Sequence, residues 1–149
     1  GGANGTLTGS AFTSNKASNG GGIYWTGLYR TITDSTFVNN SANSNGGGIY
    51  WTRNGFNSIL SGCSFDNNVA RINGGAIFWN VDGLMINCTF INTKSVKSNG
   101  MYVVRNLNIE SGKGIVYINP QGNLTGISIV VLNNETYYYP PNSNINLRN

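Results

Sequence analysis

The chain has 149 residues, enough for one ordinary domain with its own core. Only 9% of residues are charged, while Gly (21) and Asn (26 by count) are abundant. That could mean a disordered polar tract, but 39% hydrophobic and 11% aromatic residues recur at fixed repeat positions and argue for order. The net charge of +4 comes from nine scattered Lys and Arg with no basic run, which argues against nucleic acid binding, and the absence of His removes the commonest general base and metal ligand.

The elements repeat. SAFTSNKASNGGGIYW (Ser10 to Trp25) is followed by STFVNNSANSNGGGIYW (Ser35 to Trp51), then by CSFDNNVARINGGAIFW (Cys63 to Trp79). A degraded fourth copy, CTFINTKSVKSNGMYVV, runs from Cys88 to Val104. Phe12, Phe37, Phe65 and Phe90 stand 25, 28 and 25 residues apart, within the range of solenoid periods.

Within each copy the columns assign local structure. Ser10, Ser35, Cys63 and Cys88 lie two residues before the Phe and share its strand face. Leu7, Ile32, Leu60 and Met85 lie five before it, an odd offset that a straight strand cannot turn inward together with the Phe. The intervening Gly9, Asp34, Gly62 and Asn87 are turn residues, so a corner is expected there. Three residues after the Phe come Asn15, Asn40 and Asn68, with Thr93 in the last copy. These are expected to form a left-handed corner and a stacked Asn ladder. Ala17, Ala42 and Ala70 supply a small apolar position, and the Gly runs beginning at Gly20, Gly46 and Gly74 then make a bend. A short strand follows: Ile23-Tyr24-Trp25, Ile49-Tyr50-Trp51, Ile77-Phe78-Trp79 and Met101-Tyr102-Val103. The extra residues Arg53 to Asn57 are placed in a loop after Trp51, bulging outward.

Three short strands per period leave no room for a helix, and no helical apolar period is present. The expected fold is an all-β parallel β-helix, a solenoid with three short strands per coil of about 25–28 residues, so that like residues stack on like. Residues 1–104 are assigned to its coils. Residues 105–149, where the columns fade, are assigned to irregular final coils or a cap, with the start of a following β domain as the alternative. The longest apolar run, Ile127 to Leu132, is too short to cross a bilayer. The chain begins at Gly1 in mid-pattern and without a leader, and is expected to be a piece of something longer or a processed form.

The pairing of GGGI or GGAI (Gly20–Ile23, Gly46–Ile49, Gly74–Ile77) with FxxN (Phe12–Asn15, Phe37–Asn40, Phe65–Asn68) resembles the repeats of polymorphic membrane proteins of chlamydial bacteria. It is more similar still to Asn-rich adhesin-like surface proteins of methanogenic archaea. The fourth copy departs from both motifs, with Thr93 for Asn and Asn99-Gly100-Met101 for the Gly-Gly-hydrophobic step. The resemblance covers roughly residues 5–104. It implies a right-handed parallel β-helix on a cell surface with an adhesive or structural role, and it transfers no catalytic residue.

Chemistry-bearing residues are few. Asp34 and Asp66 fall in adjacent coils but about 13 Å apart along the strand direction, too far for a paired-carboxylate site, and no enzymatic role or cofactor is expected. Cys63 and Cys88 share a column in consecutive coils. They form either an inter-coil disulfide or two buried thiols; side-by-side Cβ vectors suit a disulfide poorly and favour the thiols. Two Cys without further ligands cannot make a zinc site. The Gly runs are bends rather than phosphate cradles, because no Lys-Ser/Thr or helix follows.

If Ile23, Ile49 and Ile77 point inward, then Tyr24, Tyr50, Phe78 and Tyr102 form an exposed strip. Trp25, Trp51 and Trp79 lie inside or splay out at the next turn. Such a strip, with Trp25, Trp51 and Trp79 beside it, is the candidate ligand-binding surface, stacking on sugar rings or a partner protein, or else only stabilises the sheet. Sequons begin at Asn4, Asn39, Asn87, Asn123 and Asn134, candidate glycosylation sites on a surface protein. The expected role is an extracellular adhesin-like stalk recognising a glycan or protein. The alternatives are a subunit stacking on copies of itself into a filament or coat, and a fragment of a carbohydrate-active enzyme.

Overall fold

A computed structural model describes the backbone of residues 5–26, 29–95, 101–103, 107–110, 115–118, 128–132, 135–139 and 145–148. It describes the side chains of 5–26, 29–52, 57–95 and 101. Every regular element among these residues is a strand.

The first coil holds β1 (Gly5–Thr8), β2 (Ala11–Thr13), β3 (Lys16–Asn19) and β4 (Ile23–Thr26). The second holds β5 (Arg30–Thr33), β6 (Thr36–Val38) and β7 (Ser41–Asn45), and leads into the long β8 (Ile49–Ser61). After it come β9 (Ser64–Asp66), β10 (Val69–Ala70), the long β11 (Ile77–Ile86) and β12 (Cys88–Ile91). The remaining strands are β13 (Met101–Val103), β14 (Leu107–Glu110), β15 (Ile115–Ile118), β16 (Ser128–Leu132), β17 (Glu135–Tyr139) and β18 (Ile145–Arg148).

These strands build three parallel walls, as a β-solenoid requires. The first runs β1-β5-β8-β11-β14-β18, with β4 on β8 and β13 on β11; the second runs β2-β6-β9-β12-β15; the third is β3-β7-β10. Like stacks on like: Phe12 on Phe37, Phe37 on Phe65 and Phe65 on Phe90, with Ile23, Ile49 and Ile77 in another column. Pairing continues past residue 104, where Ile109 lies on Met85 and Tyr117 on Phe90. β16 and β17 depart from the pattern as an antiparallel pair.

The corner between the first and second walls falls where the turn residues stand. Gly9, Asp34, Gly62 and Asn87 have φ of 57°, 50°, 63° and 50°. This left-handed step turns the Leu7/Ile32/Leu60/Met85 column and the Phe column to the same interior, where Ile32, Leu60, Met85, Phe37, Phe65 and Phe90 are fully buried. Each such side chain contributes roughly 1.5–3 kcal/mol by leaving water. The next corner differs from expectation by one residue. Positive φ belongs to Ser14, Asn39, Asn67 and Asn92, not to Asn15, Asn40 and Asn68. The strand must reverse the facing of one residue so that the following Asn can enter the interior. Gly20, Gly46 and Gly74, at φ of 64°, 67° and 66°, make the third corner.

The residues after Trp51 also correct the reading. They form no outward loop but continue β8 without interruption into the next coil. The pairing of β8 with β11 absorbs the longer period as irregularities, with Trp51 on Trp79, Gly55 on Val81 and Ser58 on Gly83. A strand that bulges within a sheet keeps most of its backbone hydrogen bonds, which an excluded loop would surrender to water.

Candidate functional site

Tyr24, Tyr50 and Phe78 leave the first wall on its outer side, opposite Ile23, Ile49 and Ile77. Tyr24 is 59% exposed, and Tyr50 and Phe78 are half-buried. Their rings form a ladder. Tyr24 and Tyr50 lie 5.0 Å apart at 17° between planes, and Tyr50 and Phe78 lie 4.7 Å apart at 14°. Tyr102 pairs with Phe78 in the backbone, but its side chain falls outside the described residues.

Stacking at this spacing decides what the strip offers. The π faces of Tyr50 are occupied by its neighbours, so a sugar ring cannot lie flat on it. The outward side presents ring edges and the Tyr hydroxyls, which suit hydrogen bonding and edge-on apolar contact. Among the described residues Tyr24 is stacked by Tyr50 alone, and it rims an apolar depression of about 270 Å³ with Leu7, Phe12, Ile23 and Trp25.

The Trp column takes the inner of its two expected positions. Trp51 and Trp79 are fully buried and meet edge to face at 5.2 Å. Trp25 is half-buried, stacks on Trp51 at 5.9 Å and carries the Arg30 guanidinium 5.2 Å from its ring centroid. Arg30 is itself buried and donates to the Thr26 carbonyl oxygen at 3.0 Å, a placement with no signal in the sequence.

Cys63 and Cys88 are buried free thiols, so the inter-coil disulfide weighed above is not formed. Each member of their column donates to the carbonyl two residues before it. Ser10 bonds to Thr8 at 3.1 Å, Ser35 to Thr33 at 2.9 Å, Cys63 to Ser61 at 3.4 Å and Cys88 to Ile86 at 3.5 Å. The neighbouring Cys88 side chain draws the Cys63 thiol below its ordinary value despite burial, while burial, followed by the nearby Cys63 thiol, pushes the Cys88 thiol well up.

Asp34 is exposed at a corner, its carboxylate beside Gly62, while Asp66 lies in the second wall paired with Val38 and Ile91. Among the described residues no three His, Cys, Asp or Glu gather where a metal could sit. Of the sequons, Asn39 and Asn87 stand exposed at left-handed corners; Asn4, Asn123 and Asn134 lie outside the described residues.

Two Asn ladders hold the third wall. Asn15 and Asn40 donate from N–H and Nδ2 to the Oδ1 of Asn40 and Asn68, respectively, at 3.0–3.1 Å. The second ladder was not foreseen. Asn45 Nδ2 donates to Asn19 Oδ1 at 3.2 Å and Asn73 Nδ2 to Asn45 Oδ1 at 2.8 Å. Its signal was the Asn that precedes each Gly run, at Asn19, Asn45 and Asn73.

Residues 34–50 and 62–78 match the family model of the Chlamydia polymorphic membrane protein repeat. Each match opens on a first-corner residue, Asp34 or Gly62, and closes on a ladder residue, Tyr50 or Phe78. Both contain the FxxN and Gly-run motifs in successive coils. These two stretches are thus similar to repeats of the polymorphic-membrane-protein type, and they are carried on a β-solenoid. No curated protein and no solved structure matches it.

Proposed function

We propose that the chain is a segment of an extracellular, adhesin-like cell-surface protein, acting as a stiff stalk and as a binding surface for a glycan or protein. The observation that carries this reading is the pair of matched repeats stacked in register as consecutive coils. Parallel pairing along three walls resists bending, which suits a stalk. Recognition is assigned to the outward edges of Tyr24, Tyr50 and Phe78, with Tyr102 extending the strip, while Trp25, Trp51 and Trp79 support it from within. Residues 1–104 supply the coils, and residues 105–149 end the solenoid as final coils and a cap. The role is non-catalytic and needs no cofactor. Asn39 and Asn87, at exposed corners, are the sequons best placed to carry glycans.

A second reading is assembly of copies end to end into a filament or coat. It draws on the apolar depression around Leu7, Phe12 and Trp25 and on the edge positions of β1, β2 and β3.

The test is binding of the isolated chain to a glycan array and to intact cells, with Tyr50→Ala as control. Light scattering and negative-stain microscopy follow the same samples across a concentration series. Saturable binding by short monodisperse rods, lost in a folded Tyr50→Ala variant, is expected. Filaments growing with concentration, without saturable binding, would overturn adhesion in favour of assembly.

A further inference from the structure

The column of Ser10, Ser35, Cys63 and Cys88 changes from hydroxyl to thiol in its last two steps, and there two sulfurs stand one above the other inside the solenoid. The strands carrying them are in register: Thr89 pairs with Ser64, and its N–H donates to the Cys63 carbonyl at 3.0 Å. Both Cys residues are 1% exposed. Besides the carbonyls two residues back, Cys63 Sγ faces the Ile32 oxygen at 3.8 Å and Cys88 Sγ the Leu60 oxygen at 3.7 Å.

We propose that Cys63 and Cys88 together form a two-coordinate site for one soft monovalent metal ion, cuprous or silver. Strand spacing is the reason. In-register side chains on neighbouring strands start about 4.8 Å apart. A disulfide wants its Cβ atoms about 3.8 Å apart and its sulfurs at about 2.05 Å, so closing one would draw the coils together by about 1 Å. Two metal–sulfur bonds of about 2.3 Å each, laid end to end, separate the sulfurs by about 4.6 Å and leave the coils where they are.

Donor type selects the ion. Thiol sulfur favours cuprous and related soft ions. Zinc, which takes four donors, finds no group of three or more His, Cys, Asp or Glu among the described residues. Both sulfurs coordinate as thiolates, so binding releases two thiol protons to solvent and leaves one net negative charge spread over the ion and its two sulfurs; no oxidation state changes.

The test uses the reduced chain under anaerobic conditions, with two free thiols verified. Silver(I) is loaded both by long incubation and by refolding in its presence. The sample is then challenged with a large excess of glutathione, desalted, and its metal counted by mass spectrometry. A second sulfur held in place raises affinity over a single thiol by about 10²-fold or more. The wild-type chain is therefore expected to keep one silver ion, and Cys63→Ser and Cys88→Ser to lose it. Both variants are expected to fold, because Ser already occupies this column at Ser10 and Ser35 and makes the same bond to the carbonyl two residues back. Loss of silver from the wild-type chain after both loadings, or equal retention by either variant, would overturn the proposal.

Discussion

Replacing Asn68 with Ala removes the middle of a buried hydrogen-bond ladder. Asn68 is fully buried. Its Oδ1 accepts from the Asn40 N–H at 3.1 Å and from Asn40 Nδ2 at 3.0 Å, and its Nδ2 donates to the Phe37 carbonyl at 2.8 Å. Asn40 Nδ2 keeps a second acceptor, the Phe12 carbonyl at 2.9 Å. Truncation therefore strands one group, the Asn40 N–H, in an interior closed to water, and it takes from the Phe37 carbonyl the side-chain bond that supplements its parallel-sheet pairing with β9. The orphaned group costs about 1–3 kcal/mol and the other lost bond about 1 kcal/mol, so about 3 kcal/mol in total is expected. In a chain of this size 1 kcal/mol moves the midpoint by about 2–4 °C, giving a fall of about 6–12 °C.

Asn15→Ala is the matched control. Asn15 is exposed, and its side chain makes one bond, to Asn40 Oδ1 at 3.1 Å, which solvent can replace. Its loss is expected to cost less than about 1 kcal/mol. Thermal and urea unfolding followed by far-UV circular dichroism, at one protein concentration, measure both. Equal midpoints for the two variants would refute the orphaned-group reasoning.

Gly47→Ala would drive a Cβ into the carbonyl oxygens of Gly75 and Val69 on the next coil. A loss of about 3 kcal/mol or more is expected from such overpacking. Gly9→Ala meets open space and suffers only its φ of 57°, about 1–2 kcal/mol, so urea midpoints should rank the two. Tyr50→Ala removes two ring contacts and Tyr24→Ala one. At about 0.5–1.5 kcal/mol each, Tyr50→Ala should cost roughly twice as much, and equal losses by denaturant titration would contradict an energetic ladder. The raised thiol of Cys88 makes stability fall at alkaline pH. The unfolded thiol loses its proton near its ordinary value of 9.0 while the folded one holds it, so the contribution is full below that value and is lost as pH rises toward the folded value. Cys63, shifted the other way, opposes this only in part, and stability profiles between neutral and alkaline pH should be flatter for Cys88→Ser than for wild type.

Much of the architecture was legible because a solenoid places equivalent residues of successive periods in direct contact. Phe12, Phe37, Phe65 and Phe90 had to stack once the period was recognised. The corner at Gly9, Asp34, Gly62 and Asn87 followed from a parity conflict that no straight strand resolves. What stayed hidden concerns single-residue geometry. The left-handed step fell on Asn39 and Asn67 rather than on Asn40 and Asn68, because both positions of each pair are Asn and local preference does not separate them. The burial of Arg30 over Trp25 had no periodic counterpart in the neighbouring coils to reveal it.

The sequence by itself therefore determined the solenoid, its period, its inward columns and its Asn ladder, because those depend on repetition. Only the tertiary structure decided that the residues after Trp51 stay within the sheet, that the Trp column turns inward, and that the aromatic strip offers edges rather than faces. Each of these depends on how neighbouring coils divide a fixed spacing of about 4.8 Å among their side chains, and that spacing exists only once the coils are stacked.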